Sequence, residues 1–272
     1  MGKIIFLDID GTIRWFDGSV PDSTVYAIQE ARRRGHEVCV CSGRPLSLIE
    51  KNILDIGFDG IVSCAGTYVM YRGQCVRSVS FDPATVHELC EYLVEKDCMI
   101  ELQRFDQTFL LKRFVSRYEE MGRNMMASLG EDAKELEPYP GLVEQDTDVK
   151  NVEKVMFFSQ KVPYEEIYHE WSDRVIMTPF SIPNAERWGG EISPLNVNKT
   201  SGILSILEHS DYSREDVIAI GDSDNDVDML EFAAAGIAMG NATQSAAQAA
   251  DWQTAPLLAD GILKAFRKLE LI

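Results

Sequence analysis

Three short stretches carry residue types able to do chemistry together. Asp8-Ile9-Asp10-Gly11-Thr12 sets two carboxylates two residues apart beside a glycine and a hydroxyl, and Gly221-Asp222-Ser223-Asp224-Asn225-Asp226 supplies further carboxylates. Ser42-Gly43-Arg44 joins a hydroxyl, a glycine and a guanidinium. Carboxylates without His or Cys among them form an oxygen-only set, which suits a hard cation such as Mg²⁺ rather than zinc. Thr12, Ser42, loop N–H groups and a Lys or Arg can hold an anion beside that cation. A carboxylate cluster with an anion pocket points to phosphoryl transfer.

Each stretch also has a plainer reading. Asp-x-Asp-Gly-Thr is a common turn, with Asp capping a helix and Gly supplying a positive φ. Residues 221–226 could cap the next helix or form a calcium loop, but an EF-hand needs Gly at its sixth position and Glu at its twelfth. Counted from Asp222, those places hold Val227 and Ala233, so the calcium reading fails. Ser42 could simply cap a helix.

The elements that must position these loops follow from hydropathy patterning. Residues 3–7, 37–41 and 60–63 are short apolar runs typical of buried parallel strands, and residues 217–220 and 236–239 repeat the pattern near the C-terminus. Helical patterns separate them: one starting at Asp22 or Ser23 and closed by Gly35, then residues 46–56, 200–209, 227–234, 243–250 and 256–269. Alternating strand and helix predicts an α/β fold, a doubly wound Rossmann-like parallel-sheet core. In such a sheet ligands bind beyond the C-terminal strand ends, where all three loaded loops fall.

Residues 83–190 have a different texture. Helix patterns at 84–95, 115–129 and 163–171 and strand patterns at 99–103, 108–111, 154–159 and 174–178 predict a separate α+β unit inserted into the core. The expected division is a core of 1–82 and 191–272 with an inserted unit of 83–190, joined through Phe81-Asp82-Pro83 and Gly189-Gly190-Glu191, where the glycine pair suits a hinge or a simple hairpin-like turn.

Composition narrows the partners. The chain has 272 residues, 45% hydrophobic, enough to bury roughly 70–75% of its unfolded surface. With 26 Lys and Arg against 44 Asp and Glu, the net charge of −18 disfavours nucleic acid and anionic membranes. The first apolar run ends at Asp8, too short for a signal peptide or a span, and Phe6 stands where myristoylation expects Ser or Thr. Six cysteines without a C-x-x-C pair suggest reduced thiols, and Cys39 and Cys41 read as small buried hydrophobes. The expectation is an unanchored cytoplasmic protein, monomer or homodimer. His36, His87, His169 and His209 are scattered and read as structural, while Trp15 and Phe16 read as packing or rim residues.

The motifs, taken in order, resemble those of the haloacid dehalogenase-like hydrolase superfamily, and within it the Cof-type phosphatases with a large inserted cap. Asp8-Ile9-Asp10-Gly11-Thr12 resembles the first motif, Ser42 the second, Lys199 the third and residues 221–226 the fourth. The resemblance spans the chain and implies Asp8 as nucleophile, forming an aspartyl-phosphate, with Asp10 as general acid and base. It implies Mg²⁺ held by Asp8, the Asp10 backbone carbonyl and Asp222, with Asp226 acting through water. Thr12, Ser42, Gly43 and Lys199 would bind phosphate, Asn225 would contact phosphate or orient its loop, and Arg44 would serve the substrate, a small phosphorylated metabolite, or brace the loop. The cap would choose the leaving group, with Arg104, Lys112, Arg113 and Arg117 as candidates. Related enzymes often carry Asn-Gly-Ala after the third strand, whereas this chain reads Ala65-Gly66-Thr67. Two other functions fit less well: a phosphosugar mutase of the same superfamily, and a phospho-aspartate signalling module, against which the insert, Lys199 and the paired Asp10 argue.

Overall fold

The three N-terminal apolar runs form strands β1 (Ile4–Leu7), β2 (Glu37–Cys41) and β3 (Gly60–Ser63), with helices α1 (Asp22–Arg33) and α2 (Lys51–Leu54) between them. The structure is a computed structural model that describes residues 2–129, 139–180 and 188–272. Two further strands, β4 (Tyr68–Tyr71) and β5 (Gln74–Ser78), follow as a hairpin turning at Arg72-Gly73, both with positive φ. The second unit then contributes α3 (Pro83–Glu95), β6 (Met99–Gln103), β7 (Thr108–Leu111), α4 (Val115–Leu129), β8 (Gly141–Val143), β9 (Lys154–Phe158), α5 (Tyr164–Trp171), β10 (Ile176–Pro179) and β11 (Gly189–Ser193). The chain closes with α6 (Lys199–Leu207), β12 (Val217–Gly221), α7 (Val227–Phe232), β13 (Ala235–Ala238), α8 (Gln244–Ala249), β14 (Trp252–Gln253) and α9 (Gly261–Lys268).

Among the described residues, one sheet runs β14-β13-β12-β1-β2-β3-β4-β5, parallel from β14 to β3 with the β4–β5 hairpin added antiparallel. Chain order reverses at β1, which has β2 on one side and β12 on the other, so the switch point lies at their carboxyl ends. Side chains alternate across the sheet: Ile4, Phe6, Cys39 and Cys41 pack with Ile203 and Ile206 of α6 and Met229 and Leu230 of α7. Ile5 and Leu7 are buried on the other side, where α1 lies against α9. The doubly wound core read from the pattern is therefore present, and residues 60–63 form the third strand as expected.

The second unit holds a mostly antiparallel sheet, β10-β11-β9-β6-β7-β8, over a core that includes Leu89, Leu93, Ile100, Phe157, Ile167 and Trp171. Contacts divide the chain into Met1–Arg44, Ile49–Ser78 and Val197–Ile272 on one side and Pro45–Leu48 with Val79–Asn196 on the other. Both expected boundaries shift. Phe81 is buried in the second unit's core and its N–H donates to Val152 O, so that unit begins before residue 83. At the other end a boundary at 190/191 would cut β11, whose ladder with β9 and β10 runs on to Ile192 and Ser193. Gly189-Gly190 is correspondingly no hinge. An added Cβ at Gly189 would meet Phe157 O at 2.5 Å, and one at Gly190 would meet Thr178 O at 2.5 Å, so the pair allows close strand packing.

The helix expected over 46–56 is broken for a related reason. Leu46–Leu48 makes a 3-10 turn in the second unit, where the Ser47 N–H donates to Phe105 O, and α2 resumes only at Lys51. At α1 the cap position is Pro21, and Asp22 instead places its charge in the first turn, where the helix dipole favours it.

Candidate active site

Parallel pairing decides which loops meet. Leu7 sits opposite Ile220 on one side and Val40 on the other, so Asp8, Asp222 and Ser42 leave neighbouring strands at the same end of the sheet. The Asp8 N–H donates to Ile220 O at 3.0 Å, and the Ser42 N–H to Val62 O at 2.8 Å. Asp8, Asp222 and Asp226 are buried, each with a carboxylate oxygen within 4.8 Å of the others.

Lys199 balances this cluster. It opens α6, whose start is fixed by Asn198, the capping residue that accepts from the Ser201 N–H, and by Asp228, which accepts from the Thr200 N–H. Its ammonium is 1% exposed and donates to Asp8 Oδ1 (2.6 Å), Asp226 Oδ1 (2.5 Å) and Asn225 Oδ1 (3.1 Å). These three contacts use the whole donor capacity of an ammonium group. Burying four charged side chains is tolerable only because they are paired and hydrogen-bonded.

Two close backbone approaches shape the site. Gly66 has φ +103°, and a Cβ there would lie 2.2 Å from Asn198 O, so the loop after β3 seats the start of α6. Gly11 has φ +87°, and its Cβ would lie 2.2 Å from Asp222 Oδ2. The glycine of the first motif makes room for the carboxylate of the last.

The carboxylates differ in how far they are engaged. Asp226 is fully occupied, with Oδ1 on Lys199 and Oδ2 accepting from the N–H groups of Asp222 and Ser223. Asp8 Oδ1 is held by Lys199 and Asp222 Oδ1 by the Thr12 hydroxyl (2.8 Å). Among the described residues no hydrogen bond engages the second oxygen of Asp8 or Asp222. Burial, with Asp226 nearby, pushes the Asp8 carboxyl up to about 7 against the opposing pull of Lys199. Burial and the neighbouring Asp8 and Asp226 push Asp222 up to about 8. Acids crowded in this way are relieved by a divalent cation, and the all-oxygen donor set fits a hard one. The cluster can thus hold a divalent metal through Asp8 and Asp222, with Asp226 supporting indirectly.

The remaining expected residues are placed as follows. Thr12 is fully buried and its one hydroxyl proton goes to Asp222, so it orients that carboxylate rather than facing outward. Asn225 turns its carbonyl oxygen to Lys199 and to the Ser223 hydroxyl, leaving its amide hydrogens as donors. Ser42 is buried, its Oγ accepting from the Arg44 N–H across Gly43 (3.2 Å). Asp10 lies in the same turn as Asp8 but is gripped by Arg44, Nε to Oδ2 at 2.6 Å and Nη2 to Oδ1 at 2.9 Å. Arg44 therefore faces Asp10 directly.

In the second unit Arg104 pairs with Asp106, Lys112 with Glu144 and Arg117 with Asp97, while Arg113 is exposed. The histidines have other partners: His36 accepts from the Lys3 N–H, His87 meets Asp146, His209 meets Ser205 O, and His169 lies edge-on to Tyr168. None of the six cysteines, all among the described residues, forms a disulfide.

Sequence reasoning missed three contributors. Asn241 donates to Gly11 O (2.9 Å) and accepts from the Leu257 N–H, tying the first loop to the C-terminal segment. Arg14 and Glu50 complete the surroundings of Asp10 and Arg44. The one available signal was Arg14 itself, a charged residue four positions after Asp10 in an otherwise apolar stretch.

Known proteins resemble this chain over nearly its whole length. The chain is 25% identical to 5-amino-6-(5-phospho-D-ribitylamino)uracil phosphatase YitU of Bacillus subtilis, covering 96% of this chain and 95% of that one. It is 24% identical to phosphoglycolate phosphatase of Methanopyrus kandleri, covering 99% and 97%. The solved structure of a HAD subclass IIB sugar phosphatase superposes with a TM-score of 0.83 at 23% identity, covering 99% and 100%. No described helix is long and apolar enough to cross a membrane. The family model for haloacid dehalogenase-like hydrolases matches residues 5–266, and the chain belongs to that family, as a Cof-type member.

Proposed function

We propose that the chain is a Mg²⁺-dependent phosphatase that hydrolyses a small phosphorylated metabolite, a sugar phosphate or a phosphorylated cofactor, through an aspartyl-phosphate on Asp8. The observation that carries this reading is the pairing of Asp8 with Lys199 beside Asp222, inside a cluster that two buried acids leave open on one oxygen each. Phosphatase relatives of nearly equal identity bear names with chemically unlike substrates, a ribityl phosphate and phosphoglycolate, so the reaction class carries over and a single substrate does not.

Asp8 and Asp222, with the backbone carbonyl of Asp10 and indirect support from Asp226, would hold Mg²⁺. When bound, the metal offsets the repulsion between an anionic nucleophile and an anionic phosphate. Lys199 keeps one Asp8 oxygen fixed and supplies positive charge where the transferring group gathers negative charge. An Asp8 oxygen attacks phosphorus, the bond to the leaving oxygen breaks, and Asp10 gives that oxygen a proton. Asp10 then takes a proton from the water that attacks the aspartyl-phosphate, and inorganic phosphate leaves with Asp8 restored. The Asn225 amide and the Ser42–Gly43 loop bind phosphoryl oxygens, Lys199 offers them its charge while its three hydrogens stay on Asp8, Asp226 and Asn225, Thr12 acts by holding Asp222, and Arg44 serves the substrate end. The second unit acts as the cap that selects the leaving group. Free thiols and the −18 charge support a cytoplasmic enzyme, monomer or homodimer, with no nucleic-acid or membrane partner.

The test is phosphate release from a panel of phosphorylated metabolites, with Asp8→Asn as control. Stoichiometric inorganic phosphate that vanishes in the variant supports the reading. Isomerised phosphosugar with little phosphate released would replace it with a mutase, and full activity in Asp8→Asn would end it.

A further inference from the structure

Asp10 belongs to a closed ring of four side chains with alternating charge. Arg44 grips Asp10 with two hydrogen bonds and reaches Glu50 Oε1 with Nη1 at 3.2 Å. The same Glu50 oxygen accepts from Arg14 Nη1, and Arg14 Nε, which donates to Trp15 O at 3.0 Å, lies within ion-pair range of Asp10 Oδ1 at 3.6 Å. The order Asp10–Arg44–Glu50–Arg14 places each charge between two of opposite sign.

The local structure bends to make this ring. Arg14 ends a tight turn in which the Gly11 N–H donates to Arg14 O and the Arg14 N–H to Ile9 O, bringing it back beside Asp10. It is 8% exposed, a burial that its guanidinium tolerates because Glu50 and the carbonyls of Trp15 and Phe16 accept its hydrogens beside the charge of Asp10. Glu50 occupies the cap position of α2, where Ser, Thr, Asp or Asn is favoured, yet its side chain makes no cap bond and turns to the two arginines. Its other oxygen is buried without a partner. A helix cap forgone and a buried oxygen left unpaired are local costs, of the kind tolerated at functional sites.

We propose that Glu50 and Arg14 are positioning residues for Asp10. Through Arg44 they fix the direction of a carboxylate that would otherwise turn freely at the half-exposed rim of the turn. Glu50 also keeps a second carboxylate on Arg44 when Asp10 moves to the leaving oxygen. This rests on the reading of Asp10 as the general acid.

The test uses aryl phosphates of similar shape and graded leaving-group basicity: 2,4-dinitrophenyl, p-nitrophenyl, phenyl and p-methylphenyl phosphate. The ratio kcat/KM reports the first irreversible step, and a good leaving group needs no proton. Glu50→Gln should lower kcat/KM for p-methylphenyl phosphate by about tenfold or more while changing 2,4-dinitrophenyl phosphate by less than about threefold, with partial recovery in Glu50→Asp. Asp10→Asn should show the steepest dependence. An equal loss across the series in Glu50→Gln, or no loss, overturns the proposal while a steep Asp10→Asn series leaves the acid assignment standing. A flat Asp10→Asn series instead overturns the assignment of Asp10 and the positioning role with it.

Discussion

Lys199 Nζ lies 2.6 Å from Asp8 Oδ1, with both side chains shut off from solvent. This one cation also touches Asp226, so it offsets one of the three negative charges that Asp8, Asp222 and Asp226 bring to the ends of β1 and β12. Replacing it by methionine keeps the stem's volume and leaves the carboxylates uncompensated. Lys199→Met should lower stability by about 3–5 kcal/mol in metal-free protein at pH 8, measured by urea unfolding, and abolish phosphate release. A loss below about 1 kcal/mol would mean that the buried acids are neutral without it.

Metal-free stability should depend on pH in a direction opposite to that of most acidic proteins. Asp8 and Asp222 are raised from 3.8 to about 7 and about 8, so between pH 4 and 8 the folded state keeps protons that the unfolded chain has released. Their contribution is then fully present below about pH 4 and fades as pH rises through 7 to 8. Thermal melts in chelator should fall from pH 5 to pH 8, and added Mg²⁺ should raise the melting temperature more at pH 8 than at pH 5. An Mg²⁺ shift of equal size at both values would argue against these acids as the ligands.

Much of the site was legible because parallel strands carry their loops to one end whatever lies between them. Knowing that residues 4–7, 37–41 and 217–220 are buried runs suffices to bring Asp8, Ser42 and Asp222 together. The orienting contacts were not legible. Thr12 and Asp222 meet across 210 positions, and Arg14 and Glu50 across 36, with no periodicity to announce either. Gly189-Gly190 misled because a glycine pair reads as a turn, whereas here the missing Cβ atoms let β11 pack tightly against its neighbours. Strand β5 was missed because its residues are mostly exposed and polar, lacking the apolar run that marks β1 to β3.

The seat that Gly66 provides for α6 should be catalytically expensive to disturb. Gly66→Ala meets both a left-handed backbone and Asn198 O at 2.2 Å, so the start of α6 must shift, and Lys199 with it. The variant should lose about 1–3 kcal/mol of stability. It should also lose activity well beyond what a partly unfolded population explains, measured on the folded fraction. Full kcat in folded Gly66→Ala would show that Lys199 tolerates the displacement.

Ala65 offers the opposite experiment, a gain. It sits in the left-handed region at φ 54° and ψ 30°, directly before Gly66. An L-residue with a Cβ is disfavoured there by roughly 1–2 kcal/mol, whereas Gly adopts the region freely and Asn more readily than Ala. Ala65→Gly relieves that strain but loosens the unfolded chain, which takes back about 0.4–1 kcal/mol. The net expectation is a stabilisation of about 0.5–1 kcal/mol, with Ala65→Asn also stabilising because it recovers part of the strain without the full entropic loss. The Ala65 N–H bond to Ser42 O at 3.0 Å is a backbone contact and survives either change, so the Ser42 loop should stay in place. Paired urea unfolding curves of the two variants and the parent check this. Destabilisation by both would show that the Ala65 methyl is held by packing worth more than its backbone strain.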